Sequence, residues 1–138
     1  MRRLIAFSII SVLLSGCSAA FDLNASRNFA DNFMQKLARA DLNGAWEMCD
    51  ESALNRDTLD RIASNPDFAE LFRDYKGLEH GDGGQLTERN GFDDVRLAPA
   101  KVKGDKGTEG CVVHFGLRKY PEGWKVIAFQ IDRSTRTE

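Results

Sequence analysis

The chain has 138 residues, 42% hydrophobic and 29% charged, a length that accommodates one ordinary domain and excludes a multidomain enzyme. Nineteen Lys and Arg against twenty-one Asp and Glu give a net charge of −2, so no basic excess exists to neutralise a phosphate backbone, and nucleic acid is not an expected partner. Nine Phe, two Trp and two Tyr supply aromatic volume for a core, and the charge excess of disordered chains is absent.

The chain begins Met1-Arg2-Arg3, continues through the uncharged run Leu4–Leu14, and reaches the small residues Ser15 and Gly16 before Cys17. This is the order of a basic n-region, an apolar h-region and a processing site. The eleven residues of the run, at about 1.5 Å each, make a helix of roughly 16 Å, about half the thickness of a bilayer core, so the segment reads as a signal rather than a span. Leu14-Ser15-Gly16-Cys17 resembles the lipobox of bacterial lipoproteins. The resemblance implies cleavage of residues 1–16, a diacylglyceryl thioether on Cys17 and an acyl group such as palmitate on the new amine, which together attach a protein stably to a membrane. Ser18 after the cysteine is similar to the enterobacterial pattern sorted to the outer membrane. The expected location is therefore the periplasm-facing cell envelope, with the outer membrane preferred over the inner. An ordinary signal peptide cut near Ala19-Ala20, releasing a soluble protein, is the competing reading.

Cleavage before Cys17 removes Arg2 and Arg3 and takes the charge from −2 to −4. It leaves Cys49 and Cys111 as the only free thiols, in a compartment that permits disulfides. Two outcomes are open: one disulfide, closing a loop of about 60 residues and worth roughly 4 kcal/mol in the chain-entropy model, or two separate buried thiols. His80 and His114 are the only histidines, and neither belongs to a His-x-x-x-His or Cys-x-x-Cys pattern, so no metal site is expected. Gly81-Asp82-Gly83-Gly84 lacks the Lys-Ser/Thr of a phosphate loop, and no cofactor is expected either.

In chain order, residues 17–24 read as a short lipidated tether. Phe29, Phe33, Leu37 and Ala40 then form the apolar stripe of a helix over Ala25–Ala40. Asp41-Leu42-Asn43-Gly44 reads as a turn, and Ala45-Trp46-Glu47-Met48-Cys49 starts a second short helix. A third runs from Asn55 to Ser64. Asn65-Pro66 reads as the cap and first residue of a fourth, with Phe68, Leu71, Phe72 and Tyr75 on one face and Gly77 as its stop. Asp93-Asp94 reads as a loop entering a strand through Val95 and Leu97, interrupted at Pro99, and Gly104-Asp105-Lys106-Gly107 turns the chain. Cys111, Val113, Phe115 and Leu117 alternate with Val112, His114, Gly116 and Arg118 in the cleanest strand of the sequence. After the turn Tyr120-Pro121-Glu122-Gly123, Trp124–Asp132 forms a long final strand. Helices first and antiparallel strands afterwards is an α+β order, over a domain spanning 25–133 with a tail at 134–138.

Phe29-Ala30-Asp31-Asn32-Phe33 through Ala40-Asp41-Leu42-Asn43-Gly44-Ala45-Trp46, together with Glu122-Gly123-Trp124 and the strand after it, resembles the nuclear transport factor 2-like superfamily, with a cystatin-like sheet wrapped on one helix as the competing fold. The resemblance implies N-terminal helices packed on a curved antiparallel sheet that encloses an apolar cone. It also implies dimerisation through the sheet in many members, and in some an isomerase or dehydratase activity using an Asp or His in the cone. His114, Asp93, Asp94, Tyr75 and Asp132 are the candidates for such a base, but none falls in a matching motif. Trp46, Phe72, Tyr75, Phe115 and Trp124 are the candidate lining of a ligand pocket. The expected function is a membrane-anchored, non-enzymatic envelope lipoprotein binding a partner protein, a second copy, or a small apolar ligand. The alternative is a cone-fold enzyme acting by proton abstraction on a small hydrophobic substrate.

Overall fold

The computed structural model describes residues 18–104 and 111–133, apart from the side chains of residues 18–22, 67, 70, 71 and 133. The expected signal segment, Cys17, most of the turn expected at Gly104–Gly107, the side chain of Leu71 and the expected tail lie outside the described residues. Helix α1 spans Ser18–Ala38, starting ahead of the expected Ala25, so most of the expected tether is helical. Residues 18–24 contain two alanines and neither glycine nor proline, and a helix already nucleated behind them propagates through such a segment at little cost. Ser26, Ala30, Phe33, Met34 and Leu37, spaced i, i+4, i+7, i+8 and i+11, are its buried face. The helix ends two residues short of Ala40, which takes a φ of 59° while the amide of Asp41 bonds back to the Lys36 carbonyl at 2.9 Å, the left-handed exit that satisfies a helix C-terminus.

Helix α2 (Leu42–Glu47) begins inside the segment read as a turn, because Asp41 caps it by accepting from the amide of Gly44 at 2.9 Å. Helix α3 (Arg56–Ser64) is capped by Asn55, and α4 (Pro66–Arg73) opens on Pro66 as expected. Tyr75 and Gly77, expected on and after that helix, instead belong to strand β1 (Tyr75–Glu79). Strand β2 (Gly84–Arg89) is exposed at every position, so it carries no hydrophobic alternation for sequence reading to find. Its one signal is Asn90-Gly91, whose φ values of 52° and 80° make the two-residue hairpin turn into β3 (Phe92–Leu97). Asp93 and Asp94 thus lie within a strand, not in a loop leading to one, since that turn fixes the pairing register ahead of them.

Strands β4 (Ala100–Gly104), β5 (Cys111–Tyr120) and β6 (Gly123–Arg133) complete an antiparallel sheet. β6 lies on one side of β5; on the other, β4 pairs with its first half and β3 with its second, and β1 and β2 lie outside β4 and β3. Both neighbours of β5 are disrupted at the level of Gly116. The β5–β6 register shifts between Gly116 and Leu117, and on the other side the chain leaves β3 after Leu97 and resumes at Ala100. Bulges bend strands, and Pro99 removes a donor at the same level, so the sheet curves there. A Cβ on Gly116 would stand 3.0 Å from Ala128 Cβ and 3.4 Å from Ile127 Cγ1, which is why this corner carries a glycine.

The helices pack on one face of this curved sheet, the α+β arrangement expected from the sequence. Cys111, Val113, Phe115 and Leu117 are all buried, as their alternation predicts. Phe33 of α1 presents to Phe115 and Phe129 with centroids 6.2 and 5.1 Å apart and ring planes at 86° and 74°. Such edge-on pairs each contribute about 0.5–1.5 kcal/mol beyond the area they bury. Cys49 and Cys111 are free and buried, so the disulfide outcome is not the one observed. Cys49 bridges to Val126, which pairs with Leu117, and Cys111 lies six residues farther along β5, about 20 Å at strand rise, far beyond the roughly 7 Å that a disulfide spans. Among the described residues, no helix is long and apolar enough to cross a membrane.

Candidate functional site

The chain leaving α2 is pinned to the edge of β6. The amide of Asp50 donates to the Val126 carbonyl at 2.8 Å, and the amide of Val126 donates to the Met48 carbonyl at 2.8 Å. This clamp brings Trp46 and Trp124 to the lining of one concavity of about 510 Å³ against the β5–β6 turn. Its aromatic lining is Trp46, Tyr120 and Trp124. Its charged lining is Glu47, Asp50, Glu51 and Glu122 against the single ammonium of Lys125, whose Nζ donates to the Glu47 carbonyl at 2.5 Å.

Asp50 is the fixed point of the pocket. It is 8% exposed, a position that by desolvation alone would raise its carboxyl, yet the carboxyl lies below its ordinary range. Burial is the largest single influence, and it is outweighed by the sum of the Ser52 Oγ and amide, which donate at 2.5 and 2.9 Å, the Tyr120 hydroxyl and the charge of Arg118. Donating to that carboxylate raises the Tyr120 phenol. Arg118 in turn holds Asp94 through two bonds, Nε at 2.6 Å and Nη2 at 2.9 Å, which lower the Asp94 carboxyl and raise the guanidinium. Phe92 stands under the Arg118 guanidinium at 5.4 Å and beside the Tyr120 ring at 5.0 Å. Three elements far apart in sequence, the loop after α2, β3 and the end of β5, are thereby tied behind the pocket wall. Cys49 also lines it, with its thiol pushed up to about 11 by burial despite the nearby Lys125 charge.

The five residues expected to line one pocket are distributed over three places. Trp46 and Trp124 share the concavity just described. Phe72 and Tyr75 line a smaller one of about 310 Å³ with Gln35 and Arg39. Phe115, 2% exposed, packs under α1 and borders a groove of about 520 Å³ that also includes His114, Gly116 and Asp132. His114 is half-exposed on the sheet face opposite the buried stripe, with Nε2 3.1 Å from Asp132, while Asp93 is exposed on β3. Phe33, Met34, Leu37 and Phe115 are buried together in the apolar interior between α1 and the sheet.

Two groupings escaped the sequence reading. Asp50 and Tyr120 meet across 70 positions, and nothing local marks either. Asp31 of α1 meets His80, just past β1, with Nε2 2.7 Å from Oδ1; burial, and after it the Asp31 charge, raises the Tyr75 phenol. The Tyr75 hydroxyl and His80 Nδ1 are buried without a hydrogen-bond partner among the described residues. The i, i+4 spacing of Arg27 and Asp31 was the available signal, since both face the loop after β1, where the Arg27 Nη2 donates to the Gly81 carbonyl at 3.0 Å. Among the described residues, no three His, Cys, Asp or Glu side chains converge to hold a metal ion.

No family model matches the chain. No curated protein matches it either. Among solved structures, a provisionally assigned aromatic ring hydroxylase from Novosphingobium aromaticivorans is similar over 86% of this chain and 88% of its own, at 15% identity and a TM-score of 0.41. At that identity and score the likeness bears on neither activity nor site residues.

Proposed function

We propose that the chain is a lipid-anchored protein of the bacterial cell envelope whose α+β domain works by binding, with the Trp46–Trp124 pocket as its ligand site. The anchor rests on Leu14-Ser15-Gly16-Cys17, and Ser18 supports the outer membrane over the inner. One observation supports binding over proton transfer: six titratable groups with displaced pKa values all move away from neutrality. The carboxyls of Asp50 and Asp94 fall, and the thiol of Cys49, the phenols of Tyr75 and Tyr120 and the guanidinium of Arg118 rise. Acid–base catalysis favours groups tuned toward the working pH, whereas recognition favours groups held in one charge state. Asp50, Tyr120 and Cys49 each keep one form across the neutral range.

The test is a native mass spectrum of the protein purified as the cell makes it, in dodecyl maltoside. A retained mass of a few hundred daltons in the wild type, lost in Trp46→Ala, is the expected result. A bare mass in the wild type, with crosslinks running from the outer sheet face to an envelope protein or a second copy, would replace this reading with a partner-binding one. The anchor is tested separately: Cys17→Ser should move the protein out of the membrane fraction, and a variant that stays as firmly bound would refute lipidation.

A second reading is favoured by the Asp31–His80 pair and the partnerless Tyr75 hydroxyl beside it. A carboxylate-oriented imidazole and a neutral phenol donor in a partly buried site are the parts of a proton-abstraction centre. Under this reading the retained molecule would survive Trp46→Ala and be lost in His80→Ala.

A further inference from the structure

We infer that the Trp46–Trp124 pocket takes a small organic ammonium ion. The inference rests on the binding reading above and adds the chemistry of the ligand. The rim is negative: Glu47, Glu51 and Glu122 are exposed, and Asp50 is held as a carboxylate behind them. Opposing them in the lining is only Lys125, which is engaged by the Glu47 carbonyl at 2.5 Å. Four carboxylates against the one ammonium of the lining disfavour an anion and favour a cation over a neutral molecule of the same shape.

A positive ligand could be a metal ion or an organic cation, and the lining separates the two. Among the described residues no three potential ligands converge to coordinate a metal, and two indoles and a phenol supply no first-row or alkaline-earth ligation. The same rings suit an organic cation, because the face of an indole attracts an ammonium through its quadrupole and also covers its methylene or methyl groups. Trp124 already receives one such ion from the chain itself, the Lys119 ammonium standing 5.6 Å from the ring centroid. A concavity of about 510 Å³ suits a ligand of a few carbons to an amine of modest length.

The chain has two tryptophans and both line this pocket, so intrinsic fluorescence reports the site alone. The protein in dodecyl maltoside is titrated with choline, with cadaverine and with 3,3-dimethylbutan-1-ol, the uncharged carbon isostere of choline. The expected result is a saturable fluorescence change with at least one cation and none with the alcohol at the same concentrations. Affinity should fall as salt is raised, and should fall roughly tenfold in the double variant Glu51→Gln, Glu122→Gln, since each carboxylate about 7 Å from a cation in water-like screening is worth roughly threefold. Equal binding of the alcohol would overturn the cation while leaving the pocket a ligand site. Saturation by neither cation would also overturn it, and the mass spectrum above then decides independently whether the pocket holds anything.

Discussion

Replacing Asp50 with Asn tests the wall of the pocket with almost no change of shape. The amide keeps a carbonyl oxygen for the Ser52 hydroxyl and amide, now 2.5 and 2.9 Å from the carboxylate, but removes the negative charge that strengthens both bonds. A hydrogen bond to a charged group contributes about 1 kcal/mol more than one between neutral groups. Counting the two Ser52 bonds, and giving no weight to the solvent-open Tyr120 contact, the variant should lose about 1–2 kcal/mol at pH 7, which for a domain of this size lowers the melting temperature by roughly 3–8 °C. The loss should depend on pH. The Asp50 carboxyl lies below its ordinary value of 3.8, so its contribution is complete above that value and disappears as pH falls through the folded-state value. Urea melts at pH 7, 5 and 3 measure this: the gap between wild type and Asp50→Asn should be constant from 7 to 5 and narrow toward 3. A gap of the same size at every pH would mean that the substitution acts through packing, and the electrostatic account of the wall would be wrong; so would no gap at pH 7.

Phe33→Ala removes a ring that is fully buried and edge-on to both Phe115 and Phe129, and should cost about 3–5 kcal/mol in a urea melt; a cost below about 1 kcal/mol would show that α1 does not seal the sheet as described. Gly116→Val should destabilise by about 1–3 kcal/mol, because its Cβ alone meets Ala128 at 3.0 Å and the branch adds further contact; a neutral outcome would mean that the corner of the sheet is not tightly closed. Cys49 and Cys111 should both map as free thiols in non-reduced protein and resist iodoacetamide at pH 8 until urea is added, Cys49 doubly so because burial holds its thiol near 11. Rapid labelling of the folded protein, or a Cys49–Cys111 crosslinked peptide, would contradict the strand register that separates them.

How much was legible in the sequence follows from where each element's information resides. The stripe of α1 and the alternation of β5 were readable because one face of each packs on the core and the other does not, and that asymmetry is written every three to four or every two residues. The start of α4 at Pro66 was readable because a proline suits the first helical position, which is local chemistry. Strand β2 was not, because a strand exposed on both faces has no asymmetry to write, and only its Asn90-Gly91 turn betrays it. The spacing of Tyr75 from Phe68 and Phe72 fits a helix, but pairing of β1 with β4 overrides that spacing, and a single chain segment cannot display the partner that does so.

The sequence by itself determined the α+β order, the buried faces of α1 and β5, and the uncharged run Leu4–Leu14 ahead of Ser15-Gly16-Cys17, all of them properties of contiguous residues. Tertiary structure alone decided the rest. It brought Trp46 and Trp124 to one pocket, closed the Asp50–Tyr120 and Asp31–His80 contacts, and kept Cys49 apart from Cys111. These depend on register and on the bend at Gly116, where a slip of one residue in pairing redirects every side chain beyond it to the opposite face. Local propensity fixes which residues face inward, but the partner each one meets is fixed only when strands distant in sequence are brought into pairing.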